Sequence, residues 1–393
     1  MRKVTIFSLI VISLTLAFVF LMTTGRFTDT QPEQPEEPKV GNSQVESTEP
    51  HKEEDDEEQK PEKIVHSASL RAIGDVLIHK RVYNKAVTGV QQYDFTPMLQ
   101  HVKTYLENAD LTMANQETMI GGSAIGVSTY PRFNSPQEVG TALKEAGVDI
   151  VTLANNHTLD RGEQAIMNAL DHWNSIGMAY TGAYRSEEDQ AEIRIMEAND
   201  IRFSFLSFTY GTNGIPVPDG KSYLVNLIDV ERIKLEIEQA KKISDVVVLS
   251  LHFGNEYERL PNEGQKYLAS IAASSGADII IGHHPHVLQP PEWITQSDGR
   301  KTFVIYSLGN FWSGQKGDFK DIGGIIEINV EKVVEGDETT ISLKDPSFLA
   351  TYVDHQYVVH PMYQLEDKKN AYAEIKQHMS RWIPDLEFIE DQP

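Results

Sequence analysis

Short apolar runs alternate with amphipathic segments along most of the chain. Runs rich in β-branched and aromatic residues predict buried strands at "LRAIGDVLI", "DLTMANQET", "VDIVTLANNH", "IRFSFLSFTY", "DVVVLSLHFG", "ADIIIGHHPH", "KTFVIYSLGNF" and "GGIIEINV". Between several of them, apolar residues recur at helical spacing, in "SPQEVGTALKEAG", "RGEQAIMNALDHWNSIG", "DVERIKLEIEQAKKIS" and "NEGQKYLASIAASSG". The alternation predicts an α/β domain over residues 67–330, in which flanking helices bury the sheet strands.

The pattern continues more weakly to the C-terminus. Two or three further strands are predicted in "TISLKDPSFLATYVD" and "HQYVVHP", and a helix is predicted near "KKNAYAEIKQHMSRWI". This part shows no catalytic signature. Residues 331–393 are therefore expected to complete or cap the domain.

The N-terminal 25 residues have the pattern of a membrane segment. Arg2 and Lys3 precede an apolar stretch from Val4 to Met22, which is long enough to cross a bilayer. The following "LMTTGRF" is a poor cleavage site, which favours an uncleaved anchor over a removed signal sequence. Basic residues before the stretch predict a single-pass cell-membrane protein whose main domain is extracytoplasmic.

Composition narrows the classes of function. Residues 26–66 are rich in Pro, Glu, Gln and Ser, which predicts a disordered acidic linker. The net charge of −23 argues against general nucleic-acid binding. The chain contains no cysteine, which excludes disulfides, thiolate metal sites and a cysteine nucleophile.

Polar side chains that can bind metal follow five of the predicted strands. In open α/β sheets, ligands bind beyond the carboxyl ends of the strands. The residues at these ends are Asp75, Asn115, Glu117, Asn155, Asn156, His157, His252, His284 and His286. Each alone has a structural explanation as a turn former, helix cap, surface acid or core histidine. Their recurrence at one edge of one sheet favours a shared site.

The strand "ADIIIG" is followed by three histidines. Pro285 fixes its own φ and disfavours the helical region for the preceding residue, so residues 284–286 are predicted to be extended. Side chains two residues apart then share a face, so His284 and His286 would converge and His283 would point away from the site. A polar loop that is merely rich in histidine is the alternative.

The donor types favour divalent metal. Imidazole, carboxylate and asparagine oxygen suit Mn²⁺, Fe or Zn²⁺. Six ligands are too many for one catalytic ion that keeps an open position. They are about right for two ions that share a bridging carboxylate and together activate water and clamp both oxygens of a displacement.

Six motifs in order resemble one family. "GDVLIH", "NQET", "ANNHTLDRG", "LHFGNEY", "GHHPHVLQ" and "YSLGNF" are similar to motifs of the poly-γ-glutamate capsule biosynthesis proteins of the CapA type, over residues 68–315. That family is related to calcineurin-like metallophosphoesterases. The resemblance implies a four-layer α/β/β/α sandwich, a dinuclear metal centre and an N-terminal anchor with an extracytoplasmic domain.

The resemblance also implies a role for each candidate residue. Asp75 and His286 would bind one ion, Asn156, His252 and His284 the other, and Glu117 would bridge them. His157 would protonate the leaving group, which requires a group that titrates near neutral pH.

Two positions depart from the phosphoesterase pattern. Residue 77 is leucine where those enzymes have histidine, and His79 would approach the first ion only if "VLIH" begins a helix. Glu117 stands in place of the usual bridging aspartate. Both departures concern the first ion.

Several other residues are candidates for supporting roles. They are Asn115, Asn155, Glu256 and Asn310. Glu256 would orient His252 or face solvent. Asn310 is a strand-end residue or a turn former. Asp160, three residues before Glu163, is predicted to cap a helix rather than bind metal. Arg132 would hold an anionic substrate or lie on the surface.

Three functions fit these predictions. The first is synthesis, export or trimming of an extracellular polyanion such as poly-γ-glutamate, in contact with the membrane and other capsule synthase subunits. The second is a metal-dependent phosphodiesterase or phosphatase acting on nucleotides or cell-wall phosphates. The third is a non-catalytic scaffold of a polymer synthase complex that uses metal structurally.

Overall fold

The computed structural model describes residues 63–391. The predicted anchor at residues 1–25 and residues 26–62 of the predicted linker lie outside this range. Within residues 63–391, no helix combines the length and the hydropathy needed to cross a membrane.

The described residues form seventeen strands and nine α-helices. The strands are β1 (Lys63–Leu77), β2 (Val87–Gly89), β3 (Gln92–Tyr93), β4 (Leu111–Gln116), β5 (Ile150–Thr152), β6 (Ala179–Thr181), β7 (Arg194–Ala198), β8 (Ile201–Thr209), β9 (Val246–His252), β10 (Ile279–His283), β11 (Leu288–Thr295), β12 (Lys301–Leu308), β13 (Asn310–Ser313), β14 (Ile322–Glu335), β15 (Glu338–Val353), β16 (Val359–Pro361) and β17 (Glu387–Phe388). The helices are α1 (Lys80–Lys85), α2 (Thr96–Leu99), α3 (Lys103–Glu107), α4 (Glu138–Glu145), α5 (Gly162–Ser175), α6 (Glu187–Ala191), α7 (Val230–Ala240), α8 (Glu263–Ser275) and α9 (Lys369–Met379).

Two large mixed sheets contain most of the strands. The first has the order β16-β15-β14-β1-β4-β5-β6, with β13 beside β1 and β17 beside β15. The second has the order β11-β12-β10-β9-β8-β7. In the first sheet β1, β4, β5 and β6 run parallel, and in the second β8, β9, β10 and β12 do. Each sheet therefore has an edge at which several carboxyl ends lie together.

Three apolar cores define the layers. One core lies between the two sheets and includes Ala72 of β1, Val248 of β9 and Ile281 of β10. A second joins the outer face of the first sheet to helices α1–α5. A third joins the outer face of the second sheet to α7 and α8, where Ile237 packs against the strands. The order of layers is thus helix, sheet, sheet, helix.

The strands extend beyond two of the predicted boundaries. Residues 63–66 were predicted to belong to the disordered linker, and this is wrong, because they pair with residues 332–335 of β14. The β-branched pair Ile64 and Val65 supports this extension of the strand. The predicted division at residue 330 falls inside β14, whose partner β15 continues the first sheet.

Two glycines let the strands approach closely where the site begins. A Cβ atom on Gly74 would lie 2.1 Å from the carbonyl oxygen of Gly309, and one on Gly282 would lie 2.0 Å from the carbonyl oxygen of Tyr306. Only glycine fits such close backbone contact. These residues directly precede Asp75 and His283, so the close approach fixes where both side chains begin.

Candidate metal centre

The six predicted ligands come from the carboxyl ends of strands in both sheets. Asp75, Glu117 and Asn156 lie at the end of the first sheet, on β1 and in the loops after β4 and β5. The three histidines His252, His284 and His286 lie at the end of the second sheet, on β9 and in the loop after β10. The prediction of one edge of one sheet is wrong in this respect, because the site lies where two sheet edges meet.

Short distances connect these side chains into one buried cluster. His286 Nδ1 lies 3.0 Å from Asp75 Oδ2 and 3.8 Å from Glu117 Oε2. On the other side of the same carboxylate, Glu117 Oε1 lies 3.6 Å from His252 Nε2, which is 2.9 Å from Asn156 Oδ1. All five residues are buried. Glu117 therefore stands between an Asp75–His286 pair and an Asn156–His252 pair.

His284 completes the cluster. Ligand atoms of Glu117, His284 and His286 all lie within 4.8 Å of one another, as three ligands of one ion would. The His284 ring also lies 4.9 Å from the His252 ring, between centroids. The structure thus brings together all six side chains that the sequence nominated.

The backbone of the histidine loop differs from the prediction. His284 and His286 have φ values of 98° and 58°, so the segment is not extended. Tertiary contacts hold this conformation, since Asp75 Oδ2 accepts from the His284 backbone N–H at 3.4 Å and Tyr257 N donates to Pro285 O at 2.8 Å. The two rings still converge, with centroids 5.8 Å apart.

His283 does not point away from the cluster, which corrects a second prediction about this loop. It ends β10, beside His252 on β9, and its Nδ1 lies 3.4 Å from Asp75 Oδ1. The ring is buried. Because the loop turns sharply after β10, alternation along an extended chain does not apply here. His283 lies beside Asp75 as a fourth histidine of the cluster.

The residues present fit divalent metal. Both carboxylate oxygens of Glu117 and the Nδ1 atom of His284 are buried, and within residues 63–391 they have no hydrogen-bond partner. A buried polar atom without a partner costs about 1–3 kcal/mol. Carboxylate oxygen and imidazole nitrogen are the donors that Mn²⁺, Fe and Zn²⁺ accept. A cation at this cluster would satisfy all three atoms.

The pKa values show that burial opposes the charged forms of the groups in the cluster. Burial raises the pKa of Glu117 well above its ordinary value. Burial also lowers the pKa of His284 to about 3 and that of His252 well below the ordinary value. For Asp75, burial acts upwards, but His283 and His286 hold the pKa well below its usual range. For His286, burial acts downwards, but Glu117 and Asp75 raise the pKa to about 9. Metal binding would release the proton from this ring, because a ligand imidazole must be neutral.

Asn115 positions two of the ligands. Its Nδ2 donates to Asp75 Oδ1 at 2.8 Å and lies 3.4 Å from His252 Nδ1, while its Oδ1 accepts from Thr152 at 3.3 Å. Asn155 instead holds the next loop, since its Oδ1 accepts from the backbone N–H of His157 at 2.9 Å. Both asparagines orient other groups of the site.

His157 is oriented by Asp160. Its Nδ1 lies 2.7 Å from Asp160 Oδ2, and the same oxygen accepts from the backbone N–H of Phe133 at 2.7 Å. The prediction that Asp160 caps a helix is wrong, because α5 begins after Arg161, which forms no side-chain cap. The Asp160 carboxylate instead accepts from the backbone of Phe133, which is distant in sequence, and contacts the His157 imidazole.

The remaining supporting candidates lie at the margin of the cluster. His79 precedes α1, but its Nδ1 faces the Leu77 carbonyl at 3.0 Å and Gly314 N at 3.3 Å, and burial lowers its pKa to about 4. Asn310 is buried and pairs with Asp75 across β1 and β13, so it is not a simple turn former. Glu256 makes no hydrogen bond to His252 among residues 63–391. Asn115 and Asn156 orient that ring instead.

Two residues that the sequence did not single out also reach the site. Tyr210 follows β8, and its ring centroid lies 4.6 Å from that of His284. Asn213 accepts from Asn156 Nδ2 at 3.3 Å. Tyr210 ends the predicted strand "IRFSFLSFTY", so its position at another strand end could have predicted it as a site residue. Asn213 lies in an irregular loop, where no sequence pattern predicts a site residue.

A cavity opens beside the buried cluster. It has a volume of about 360 Å³, and its lining includes Asn156, His157, Asp160 and Glu256. The oriented imidazole and a candidate metal ligand therefore face one space. This arrangement can hold a substrate between a Lewis-acid centre and a proton donor.

Two solved structures align with large parts of this chain. A hypothetical protein from Thermus thermophilus aligns with a TM-score of 0.39 and 17% identity, covering 70% of this chain and 98% of that one. A putative 5'-nucleotidase from Staphylococcus aureus aligns with a TM-score of 0.43 and 16% identity, covering 79% and 58%.

Sequence relatives are more similar. The capsule biosynthesis protein CapA of Bacillus anthracis is 30% identical over 253 residues, covering 62% of this chain and 59% of that protein. The PGA biosynthesis protein CapA of Bacillus subtilis (strain 168) is 30% identical over 258 residues, covering 63% of each chain. The matched region is thus less than two thirds of either relative's length. The model of the bacterial capsule synthesis protein PGA_cap matches residues 69–315, which include every predicted ligand, and this chain belongs to that family.

Proposed function

We propose that this chain is a membrane-anchored, extracytoplasmic protein that synthesises, exports or processes an anionic capsule polymer, with poly-γ-glutamate as that polymer. Family membership supports a role in capsule synthesis, and the name of the Bacillus subtilis relative refers to PGA. The apolar segment at residues 4–22 supports the anchor. Other capsule synthase subunits are the proposed partners at the membrane.

One observation carries the proposal of a catalytic metal centre: within residues 63–391, neither oxygen of the buried Glu117 carboxylate has a hydrogen-bond partner. Oε2 faces His286 and Oε1 faces His252. A carboxylate with ligands on both sides is suited to bridge two ions. The proposed centre is therefore a metallophosphoesterase-like pair of divalent ions, Mn, Fe or Zn, held by Asp75, Glu117, Asn156, His252, His284 and His286.

The chemistry of the site divides between the ions and the protein. When bound, the ions would supply Lewis acidity and an activated water. Asp160 Oδ2 lies 2.7 Å from Nδ1 of His157 and so fixes the orientation of that ring. The Nε2 atom of His157 is then left to release a proton to the departing group. A hydrolase-like reaction is the activity that this arrangement supports best.

Metal counting and a polymer assay test the proposal together. Full-length protein purified without added metal should contain about two equivalents per chain. Loaded with Mn²⁺ or Zn²⁺, it should shorten poly-γ-glutamate, measured by size-exclusion chromatography with light scattering, and a chelator should stop the reaction. Rapid turnover of phosphoesters with an intact polymer would instead identify a phosphoesterase. Bound metal without turnover of either substrate class would identify a scaffold.

A further inference from the structure

An arginine lines the same cavity as the His157 imidazole. The cavity beside the candidate metal centre is lined by His157, Asn156 and Arg132, among others. Arg132 is exposed, and the ion pairs within residues 63–391 do not include it. Most other arginines of the domain are committed, as Arg194 is to Asp189 and Arg259 to Glu374.

The loop that carries Arg132 is fixed on both sides of it. Ser128 and Asn134 form a β-bridge, and the Ser128 hydroxyl donates to the carbonyl oxygen of Arg132 itself at 2.7 Å. Arg161 donates to the Ser128 hydroxyl at 2.8 Å and to the Ile125 carbonyl at 2.9 Å. The guanidinium is therefore presented from an ordered base, which reduces the entropy lost on binding.

The same carboxylate positions this loop and the imidazole. Asp160 Oδ2 accepts from the backbone N–H of Phe133, the residue after Arg132, and also contacts His157 Nδ1. The Phe133 ring packs edge-on against the His157 ring, with centroids 4.7 Å apart. The spacing between the base of Arg132 and the catalytic ring is thus set by one side chain.

From these contacts we infer that Arg132 binds a carboxylate of the substrate and so places the adjacent bond between His157 and the metal centre. This inference rests on the proposed function and adds the group that recognises the substrate. Arginine binds carboxylate through two parallel N–H donors, which fixes orientation as well as position.

The carboxylate assignment follows from the proposed polymer. Poly-γ-glutamate carries a free carboxylate on every residue, and Arg132 can pair with such a group through two N–H donors. Bound ions beside the same cavity would attract the anionic chain as well. Arginine also binds phosphate, so the binding test includes a phosphate oligomer.

Binding of paired ligands by the full-length, metal-loaded protein tests the inference. The probes are a γ-linked glutamate hexamer and the same hexamer with its free carboxylates converted to amides. Arg132→Ala should weaken binding of the acid hexamer by about 10-fold and change binding of the amide hexamer little. Arg132→Lys should fall between, because lysine cannot form the paired contact.

The control is Arg202→Ala. Arg202 is an exposed arginine near the start of β8, whereas Tyr210 of the site follows the end of that strand. Its loss should change the affinity for neither the acid hexamer nor the amide hexamer. Equal weakening of both hexamers by Arg132→Ala, or undiminished binding of the acid hexamer, would overturn the role of Arg132. Arg132-dependent binding of a glycerol phosphate oligomer in place of the hexamer would overturn the carboxylate assignment. Failure of the wild-type protein to bind the acid hexamer would overturn the polymer proposal itself.

Discussion

Two carboxylates, one near each end of strand β10, differ in their hydrogen bonds. Asp278 is half-buried and Glu117 is fully buried. At the start of β10, Asp278 accepts from the backbone N–H of Val247 at 2.8 Å and from Lys241 Nζ at 3.0 Å. Beside the other end of β10, the two carboxylate oxygens of Glu117 and the Nδ1 atom of His284 have no hydrogen-bond partner in the part of the chain that the structure describes. Burial raises the pKa of both carboxyl groups, that of Glu117 well above its usual value.

The difference shows that hydrogen-bond partners separate a structural carboxylate from a candidate ligand. Asp278 joins β10, β9 and α7, so its partial burial is compensated within the fold. Among residues 63–391, no hydrogen bond to the Glu117 carboxylate oxygens or to His284 Nδ1 offsets the cost of their burial. A fold keeps such groups where another species satisfies them.

The largest effect is expected when the histidines beside Glu117 are replaced. His284→Ala combined with His286→Ala should abolish bound metal and lower hydrolysis by more than about 100-fold, while the protein stays folded. Elemental analysis, the polymer assay and circular dichroism measure the three properties. His355→Ala, which removes an exposed histidine between β15 and β16, is the matched control. Full metal content in the double variant would contradict the assignment of the centre.

Asp160 is an intermediate case that sharpens the comparison. Its Oδ2 has two partners, whereas its Oδ1 is buried and has no hydrogen-bond partner among the described residues 63–391. Asp160→Asn replaces the charged acceptor shared by Phe133 N–H and His157 Nδ1 with a neutral amide, which weakens the hydrogen bond that orients the ring. As a result, kcat should fall by about 100-fold with metal content unchanged. Steady-state kinetics with metal analysis would show this. A loss of metal in this variant would instead assign Asp160 to the centre.

The sequence predicted the site well where a polar residue directly follows an apolar run. Asp75, Glu117 and His252 follow such runs, and the sheet geometry then brings them together. The apolar runs also placed the strands, since each contains an observed strand. What the residues alone did not show is that two sheets contribute, because strand pairing between distant segments leaves no local pattern.

Local rules failed where tertiary contacts override them. Pro285 favours an extended backbone, yet contacts with Asp75 and Tyr257 hold His284 and His286 at positive φ. The spacing of Asp160 and Glu163 matches a helix cap, yet the carboxylate binds Phe133 and His157. In both cases a partner distant in sequence determines the outcome, so a window of a few residues could not predict it.

Replacing the uncompensated carboxylate should stabilise the metal-free fold. Glu117→Gln removes a buried carboxylate that accepts no hydrogen bond within residues 63–391, so in chelator the free energy of unfolding should rise by about 2 kcal/mol. Urea titration measures this change. The same variant should lose metal binding, because an amide is a poor bridge between two ions. Destabilisation in chelator would show that Glu117 has partners within the metal-free fold.

The smallest effect is expected at Asp278, whose carboxylate has hydrogen-bond partners. Asp278→Ala leaves the buried Val247 N–H and the half-buried Lys241 without their acceptor, so the free energy of unfolding should fall by about 1 kcal/mol, with or without metal. Asp298→Ala, which removes an exposed acid paired only with Arg300, should change it far less. Metal content and activity should stay at the wild-type level in both variants. If Asp278→Ala instead stabilised the protein as Glu117→Gln should, partner number would not distinguish structural from ligand carboxylates in this fold.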